Sequence, residues 1–484
     1  MRQRSNLLAL TLCAMVSLGH VAEATNKYPI VLVHGLSGWG RGEFLGFPYW
    51  GGLHGDFQEK LKSEGYQVFT AAVGPFSSNW DRACELYAQI KGGQVDYGAN
   101  HSATYKHLRY GRNYTGFFPQ WGTVVNGKIQ KVHLIGHSMG GQTIRTLAQL
   151  LNGGTVGAPV QEDPKSHPLF AGGKDWVHSV TTVSTPNQGS TLADGLNNVI
   201  DLIEDAIGAV FGIAGVIGDT SKIVYDIKLD QWGFKPRAPD ESIKAYIRRV
   251  LRSRLFEPGF RDFSGYDLTV YGAKELNAWV KTLPNVFYYS FVTLDTFLAK
   301  NPLLQTVALP NPLSMNPAVQ PLAVFIGSRF TTGLGLPDSW LPNDGLVNIP
   351  SQYSDGKGQI VDFTGKSYRG KWNRFETLDF MDHLAIVGLK PQTSVYKIYK
   401  SHAALLYNLP AQEAIATSTL TSSAQEDLAG YAAPSELVKA IANARTEATQ
   451  PQRDVTVAQC LSTSDAQTKA LCAQFFESAL RPSA

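Results

Sequence analysis

The sequence predicts an α/β fold with a mostly parallel sheet and helices on both of its faces. Three observations carry that prediction. Short apolar runs rich in β-branched residues recur along the first half of the chain, and each ends in a turn signal. Segments of helical period separate those runs. The composition supplies a core, because 43% of the 484 residues are hydrophobic and only 17% charged, so disorder cannot dominate. A net charge of +3, from 43 basic and 40 acidic residues, leaves no electrostatic footprint for nucleic acid.

At the start of the chain, Arg2 and Arg4 precede an apolar stretch from Leu7 to Leu18, and Ala22-Glu23-Ala24 offers a small-x-small cleavage site. Residues 1–24 therefore read as an export signal, with an apolar part too short to span a membrane. Ile30-Val31-Leu32-Val33 is the first strand, followed by a helix from Asp56 to Ser63 and a strand from Gln67 to Ala72. Lys131 to Ile135 reads as a buried strand, Gln142 to Leu151 as a helix, and Trp176 to Val183 as a strand closed by Thr185-Pro186. From about Ala193 to Val216, Leu192, Leu196, Val199, Ile200 and Ile203 recur at helical spacing before an almost uncharged run. Two readings fit that pattern: a buried helix pair, or a lid over an apolar cleft. The main domain is expected over residues 25–409. Beyond about Pro410 the composition shifts to Ala, Ser, Thr and Gln, with a linker or weak helix from Ala411 to Gly430 and a capped helix from Ser464 to Leu480. Residues 410–484 thus read as a small add-on whose role the sequence does not reveal. Cys13 would leave with the signal, and an exported chain could pair Cys460 with Cys472. Cys84 is then a buried, inert thiol.

The chemistry begins at Gly136-His137-Ser138-Met139-Gly140, a G-x-S-x-G pattern between an apolar strand and a helix-forming segment. Glycines permit the sharp strand-to-helix turn that exposes a serine hydroxyl, which is the nucleophile elbow of an α/β-hydrolase fold. The Met139 N–H, next after the serine, is one expected oxyanion donor, and the Leu36 N–H in His34-Gly35-Leu36 is the other. In this fold the order is serine, acid, histidine. Of the histidines that follow Ser138, His167 and His178 come early, and His402 reads as decoration on the surface of an amphipathic helix. His383 stands in a loop, Met381-Asp382-His383-Leu384. Asp344, in the turn Asn343-Asp344-Gly345, is favoured as the acid over Asp382, whose side chain would tend to point away from its neighbour; the residues alone do not close that choice.

The stretch from Pro29 to about Leu409 resembles the bacterial lipases of the thermoalkalophilic Bacillus-type and staphylococcal group. The matching blocks include His34 to Gly40, Tyr49-Trp50-Gly51-Gly52, Ser77 to Glu85, Gly136 to Thr143, Lys228-Leu229-Asp230-Gln231-Trp232-Gly233, Asn343-Asp344-Gly345 and Asp382-His383-Leu384. The resemblance implies hydrolysis of triacylglycerols and other acyl esters at a lipid interface, with Ser138, Asp344 and His383 as the triad and a helical lid. It also implies a structural zinc ion held in an insertion by Asp81, His101, His107 and Asp230. Read without it, His101 and His107 are a loosely spaced pair with no more claim to a metal than surface histidines. The resemblance further points to a calcium site, but Ala385 and Lys390 stand where its carboxylates would be, so zinc is expected and calcium is not.

The chemistry expected of the triad needs no organic cofactor: His383 takes the Ser138 proton, Asp344 fixes the histidine tautomer, and Leu36 and Met139 hold the oxyanion. A polyester depolymerase or short-chain carboxylesterase would share all of this. A binding protein on a dead hydrolase scaffold is a third reading, and the intact serine, acid and histidine weigh against it.

Overall fold

Ile30–Val33 (β1) is a run of four aliphatic residues, every one of them buried. A strand buried on both faces needs such a continuous run, and the usual cause is a parallel sheet covered on both sides. In the computed structural model, which describes residues 26–195, 208, 224–257, 259–328, 333–390, 395–411 and 430–462, β1 pairs in parallel on both edges. Its neighbours are Val68–Ala71 (β2) and Val132–His137 (β3), with Ile30 opposite Val68 on one side and His133 on the other. Val177–Val183 (β4), Phe287–Phe291 (β5), Ile360–Asp362 (β6) and Trp372–Arg374 (β7) complete a seven-stranded parallel sheet of order β6-β7-β5-β4-β3-β1-β2.

The pleat sorts the side chains. Ile30 and Leu32 enter one core with Phe57 and Leu61 of α1 (Phe57–Ser63), while Val31 and Val33 enter the other with residues of α2 (Asn79–Lys91) and α4 (Met139–Gly153). Each buried aliphatic side chain contributes about 1.5–3 kcal/mol, so a one-residue slip of β1 would misplace its whole set. A shorter helix, α3 (Ala99–Tyr105), lies between the antiparallel strands Gly93–Asp96 and Tyr110–Tyr114, which form an insertion apart from the main sheet. Later in the chain come α5 (Val270–Trp279), α6 (Gln320–Gly327), α7 (Tyr396–Asn408) and α8 (Ser435–Ser462).

Most boundaries fall within a few residues of the expected ones. Asp56 caps α1 rather than starting it, accepting bonds from the Gln58 and Glu59 amides. α4 starts at Met139, before the expected Gln142, because Gly140 and Gly141 are helical despite their poor propensity. His402 is a correction. It is buried, not on the surface, and its Nε2 meets the Thr181 hydroxyl at 2.8 Å. α7 is covered on one side by the sheet and on another by α8, so its period no longer marks a wet face. α8 lies within the expected C-terminal extension. Ile441, Ala444 and Ala448 are buried in the main core, and Tyr431–Ala432 pairs with Lys366–Ser367. These residues of the extension thus pack against or pair with the chain before Pro410.

The expected export signal, most of the expected lid, the linker and the last helix lie outside the described residues, as do Cys472 and the side chain of Cys460. Cys84 is buried, and burial pushes its thiol well above the usual range. No helix among the described residues is long and apolar enough to cross a membrane.

Candidate active site

The strand order reverses between β1 and β3, and in open parallel sheets ligands bind in the crevice at such a switch point. The loop after β1 carries Gly35 and Leu36, and the turn after β3 carries Ser138. Ser138 has φ 54° and ψ −131°, a conformation costly for a residue with a Cβ, and its amide is held by Val183 O at 2.8 Å. The turn is possible because the neighbours have no side chains. A Cβ on Gly136 would lie 2.4 Å from the Gly140 backbone, and one on Gly140 would lie 2.3 Å from Val33 O. Gly35 comes equally close, since a Cβ there would stand 2.7 Å from the Ser138 Cβ. Ser138 lines a largely apolar cleft with Leu36, His137, Leu192, Leu346 and His383. Met139, buried, opens α4 directly behind it.

Asp344 and His383 come together in a buried bond, Nδ1 to Oδ2 at 2.9 Å, and the His383 amide donates to Asp344 O at 2.9 Å. Every contact of the carboxylate is with a donor: Oδ1 accepts from the Leu346 and Val347 amides at 3.1 and 2.8 Å, and Oδ2 also accepts from the Thr293 hydroxyl at 2.8 Å. Such a carboxylate is fixed and ready to hold an imidazolium. Asp382 faces elsewhere. Its Oδ1 accepts from the Leu384 and Ala385 amides, and its Oδ2 from the Asn316 amide, each at 2.9 Å. It shapes the His383 turn from outside.

A second histidine ties the parts together. Burial, then the neighbouring His383, holds the His137 pKa well below the ordinary imidazole value, so it is neutral. The Gly35 amide donates to Tyr49 Oη at 3.1 Å, which leaves the phenol proton for His137 Nδ1 at 2.6 Å. His137 Nε2 then carries the ring proton and donates to His383 O at 2.9 Å. One chain of bonds thus links the Gly35 loop, the Ser138 turn and the His383 loop. The Tyr49-Trp50-Gly51-Gly52 block gave no hint of that role.

Lys390 is buried, with its Nζ 3.8 Å from Asp382 Oδ2 and no hydrogen-bond partner among the described residues. Asp295 is nearby in electrostatic terms. Its burial and the Asp382 charge raise its pKa well above the usual range, and Lys390 opposes that rise. Ala385, also buried, offers no side-chain oxygen. These residues do not fit a calcium ion, which needs several oxygen ligands.

The residues that could hold a metal form a separate cluster, and one of them differs from expectation. Asp81 of α2, His101 of α3 and His107 just beyond it converge with Asp262, not with Asp230. His101 Nε2 lies 3.4 Å from Asp81 Oδ1 and 3.1 Å from Asp262 Oδ2, and His107 Nε2 lies 3.3 Å from Asp262 Oδ2. Ligands about 2.0–2.1 Å from a tetrahedral zinc ion stand roughly 3.3 Å apart, so the donor set fits that ion. Asp81 Oδ1 and His107 Nε2 are buried with no hydrogen bond among the described residues, as atoms reserved for a metal would be. His107 Nδ1 is meanwhile tied to Leu108 O at 2.9 Å, an outer-shell contact typical of a ligating imidazole. Burial opposes a charge on His101, yet Asp262 and Asp81 hold its pKa up at about 10. Asp230 points the other way, half-exposed, and pairs with Arg112. Its neighbour Gln231 is the residue that turns inward, donating to Asp81 Oδ2 at 2.9 Å. The sequence match was thus close, but to the wrong carboxylate.

The sequence profile of a family described as "Lipase-like, C-terminal domain" matches residues 26–424. The chain belongs to that lipase-like family. Among solved structures, this lipase-like chain is similar to EstA from Clostridium botulinum, with 42% identity, a TM-score of 0.70, and coverage of 82% of this chain and 90% of that one. Lipase 1 from Pelosinus fermentans gives 43% identity and a TM-score of 0.69, over 81% of this chain and all (100%) of that one. The lipase of Staphylococcus epidermidis is 35% identical over 374 residues, 75% of this chain. The chain spans about half (50%) of the length of that relative. Asp262 is the lipase-like site residue that sequence reasoning missed. It sits between Arg261 and Phe263 with no spacing relation to either histidine, and only the tertiary fold brings it to them.

Proposed function

We propose that this chain is an exported serine lipase that hydrolyses the carboxylic esters of lipids, triacylglycerols foremost, through an acyl-enzyme on Ser138. The observation that carries the reading is the buried 2.9 Å bond between His383 Nδ1 and Asp344 Oδ2, formed where His383 and Ser138 line one apolar cleft. With Nδ1–H given to Asp344, His383 Nε2 is the base that accepts the Ser138 proton as Oγ attacks the ester carbonyl. The Leu36 and Met139 amides stabilise the oxyanion, and the alcohol leaves with the proton from His383. Water, deprotonated by His383, then releases the acid and restores Ser138. The relatives named as lipases support ester hydrolysis, and the apolar cleft favours acyl chains over small polar acids.

Asp81, His101, His107 and Asp262 would hold one zinc ion, which ties the insertion to the segment that carries Asp262. Four protein ligands leave no position for substrate, so its work is structural. Lys390 supplies a built-in cation beside Asp382, so the His383 loop needs no calcium. The basic and apolar N-terminus, Arg2 to Ala24, supports export.

A p-nitrophenyl ester series of increasing chain length, run beside emulsified triglyceride and a polyester film, tests the substrate. Long-chain ester and triglyceride turnover is expected. Turnover confined to the shortest esters, or to the film, would transfer the assignment to a short-chain carboxylesterase or a polyester depolymerase. No hydrolysis of any ester would leave only the scaffold reading.

A further inference from the structure

Between β5 and α6, the chain builds an antiparallel hairpin of Thr296–Lys300 and Thr306–Pro310. One face of it is spent on a small core of Phe297, Ala299 and Val307. Its tip is largely exposed. Leu303 and Leu304 are 77% and 80% exposed, and Leu298 on the outer face is also exposed. Leu304 has φ 57°, a left-handed backbone that turns usually give to Asn or Gly. Both choices, two large apolar side chains in water and one of them in a disfavoured backbone, work against stability.

The tip is nevertheless firmly built. Asn301 Oδ1 accepts from the Leu303 and Gln305 amides at 2.9 and 3.0 Å, and Asn301 O accepts from the Leu304 amide at 2.8 Å. Asn301 Nδ2 donates to Gln305 Oε1 at 3.1 Å. The leucines are thus held out rather than left loose.

The hairpin is also rooted on the loop that carries Asp344. Thr296 Oγ1 donates to Asn343 O at 3.0 Å and accepts from the Asn343 amide at 2.9 Å, beside Asp344. α6 packs against the second strand so closely that a Cβ on Gly327 would stand 2.0 Å from Ala308 O, and the same helix sends Leu322 into the cleft wall.

We propose that this hairpin is an interfacial anchor that inserts Leu303 and Leu304 into the surface of a lipid aggregate and so brings the cleft to it. A convex tip of two residues is far too small for a stable protein interface, which needs on the order of 1,200 Å². A fluid hydrocarbon surface needs only the apolar side chains themselves, with Lys300 at the strand end suited to the headgroup level. The inference rests on the lipid-ester reading of the cleft, but its first test does not use turnover.

The full chain carrying Ser138→Ala is mixed with dioleoylphosphatidylcholine vesicles, and the bound fraction is measured by flotation with and without L303S/L304S. The double substitution is expected to reduce partitioning at least tenfold, and V156S, at an exposed valine elsewhere on the surface, to leave it unchanged. On the active background, L303S/L304S should hydrolyse soluble p-nitrophenyl butyrate within twofold of wild type and emulsified triglyceride at least tenfold more slowly. A Leu303→Trp variant should show a blue-shifted emission on adding vesicles. Unchanged partitioning of L303S/L304S, an equal loss with V156S, or unshifted Trp emission would overturn the anchor. So would a dimer in solution that L303S/L304S dissociates without any change in vesicle binding, which would assign the tip to a second copy. If wild type hydrolyses no ester, the reading of Ser138 fails, while the vesicle result still decides the hairpin.

Discussion

At the carboxyl end of the sheet, His383 meets one carboxylate, Asp344, whose contacts are all supplied by amides and a hydroxyl. In the insertion, His101 and His107 meet two carboxylates, Asp81 and Asp262, and two of the buried atoms there, Asp81 Oδ1 and His107 Nε2, have no hydrogen-bond partner among the described residues. The residue types are the same and the surroundings are opposite. A satisfied aspartate with one histidine steers a proton, whereas converging imidazoles and carboxylates with atoms unsatisfied await a cation. The difference teaches that a His–Asp contact acquires its role from what else the two atoms touch.

The largest effects should come from the first site. Ser138→Ala or His383→Ala is expected to lower kcat by roughly six orders of magnitude, and Asp344→Asn by about four, with unchanged circular dichroism. If Asp382→Asn were the crippling change and Asp344→Asn the mild one, the acid would be misassigned.

At the second site the effect should fall on stability. Asp262→Ala should abolish stoichiometric zinc, read by metal analysis of protein purified without added metal, and should lower the melting temperature. Breaking one member of a buried charged cluster costs about 3–5 kcal/mol. Asp230→Asn removes only a half-exposed pair with Arg112, so zinc should stay bound and stability should change by less than about 1 kcal/mol. The reverse ranking would restore Asp230 as the ligand.

Glu85, on α2 one turn beyond Asp81, gives a pH test of the same region. Burial raises its pKa to about 7, against the Gly74 amide that donates to it. The folded state therefore keeps a proton that the unfolded chain releases near its ordinary value of about 4.3. That stability is fully present below the unfolded pKa and is lost as pH rises through about 7. The slope is at most about 1.4 kcal/mol per pH unit. Glu85→Gln should flatten this part of the stability profile, measured by urea unfolding between pH 4.5 and 8; an unchanged slope would remove Glu85 as its source.

The smallest effect concerns the bonds between the loops. Tyr49→Phe removes the donor to His137 Nδ1 and the acceptor for the Gly35 amide, and should lower kcat about tenfold with little change in KM. A loss seen only in KM would place Tyr49 in substrate binding instead.

What the sequence made legible follows from how local each feature is. β1 could be read because both faces are buried, which leaves four aliphatic residues in a row. The turn at Ser138 could be read because its glycines are neighbours in sequence as well as in space. Asp262 could not, since it meets His101 only through the path of the whole intervening chain. The inward side of the Asp230-Gln231 pair turned on a single residue of register. Nor could the burial of His402 be read, whose ring faces Thr181, Tyr289 and Phe291 of the sheet, since a lone histidine in a helix does not advertise a core role.

The central claim is that Ser138 is an activated nucleophile, and a fluorophosphonate probe tests it most directly. Incubation followed by intact-mass measurement and peptide mapping should show one adduct, on the peptide containing Ser138. Labelling should vanish in Ser138→Ala and slow by several orders of magnitude in His383→Ala. An unlabelled wild-type protein, or an adduct on another residue that persists in Ser138→Ala, would contradict the account.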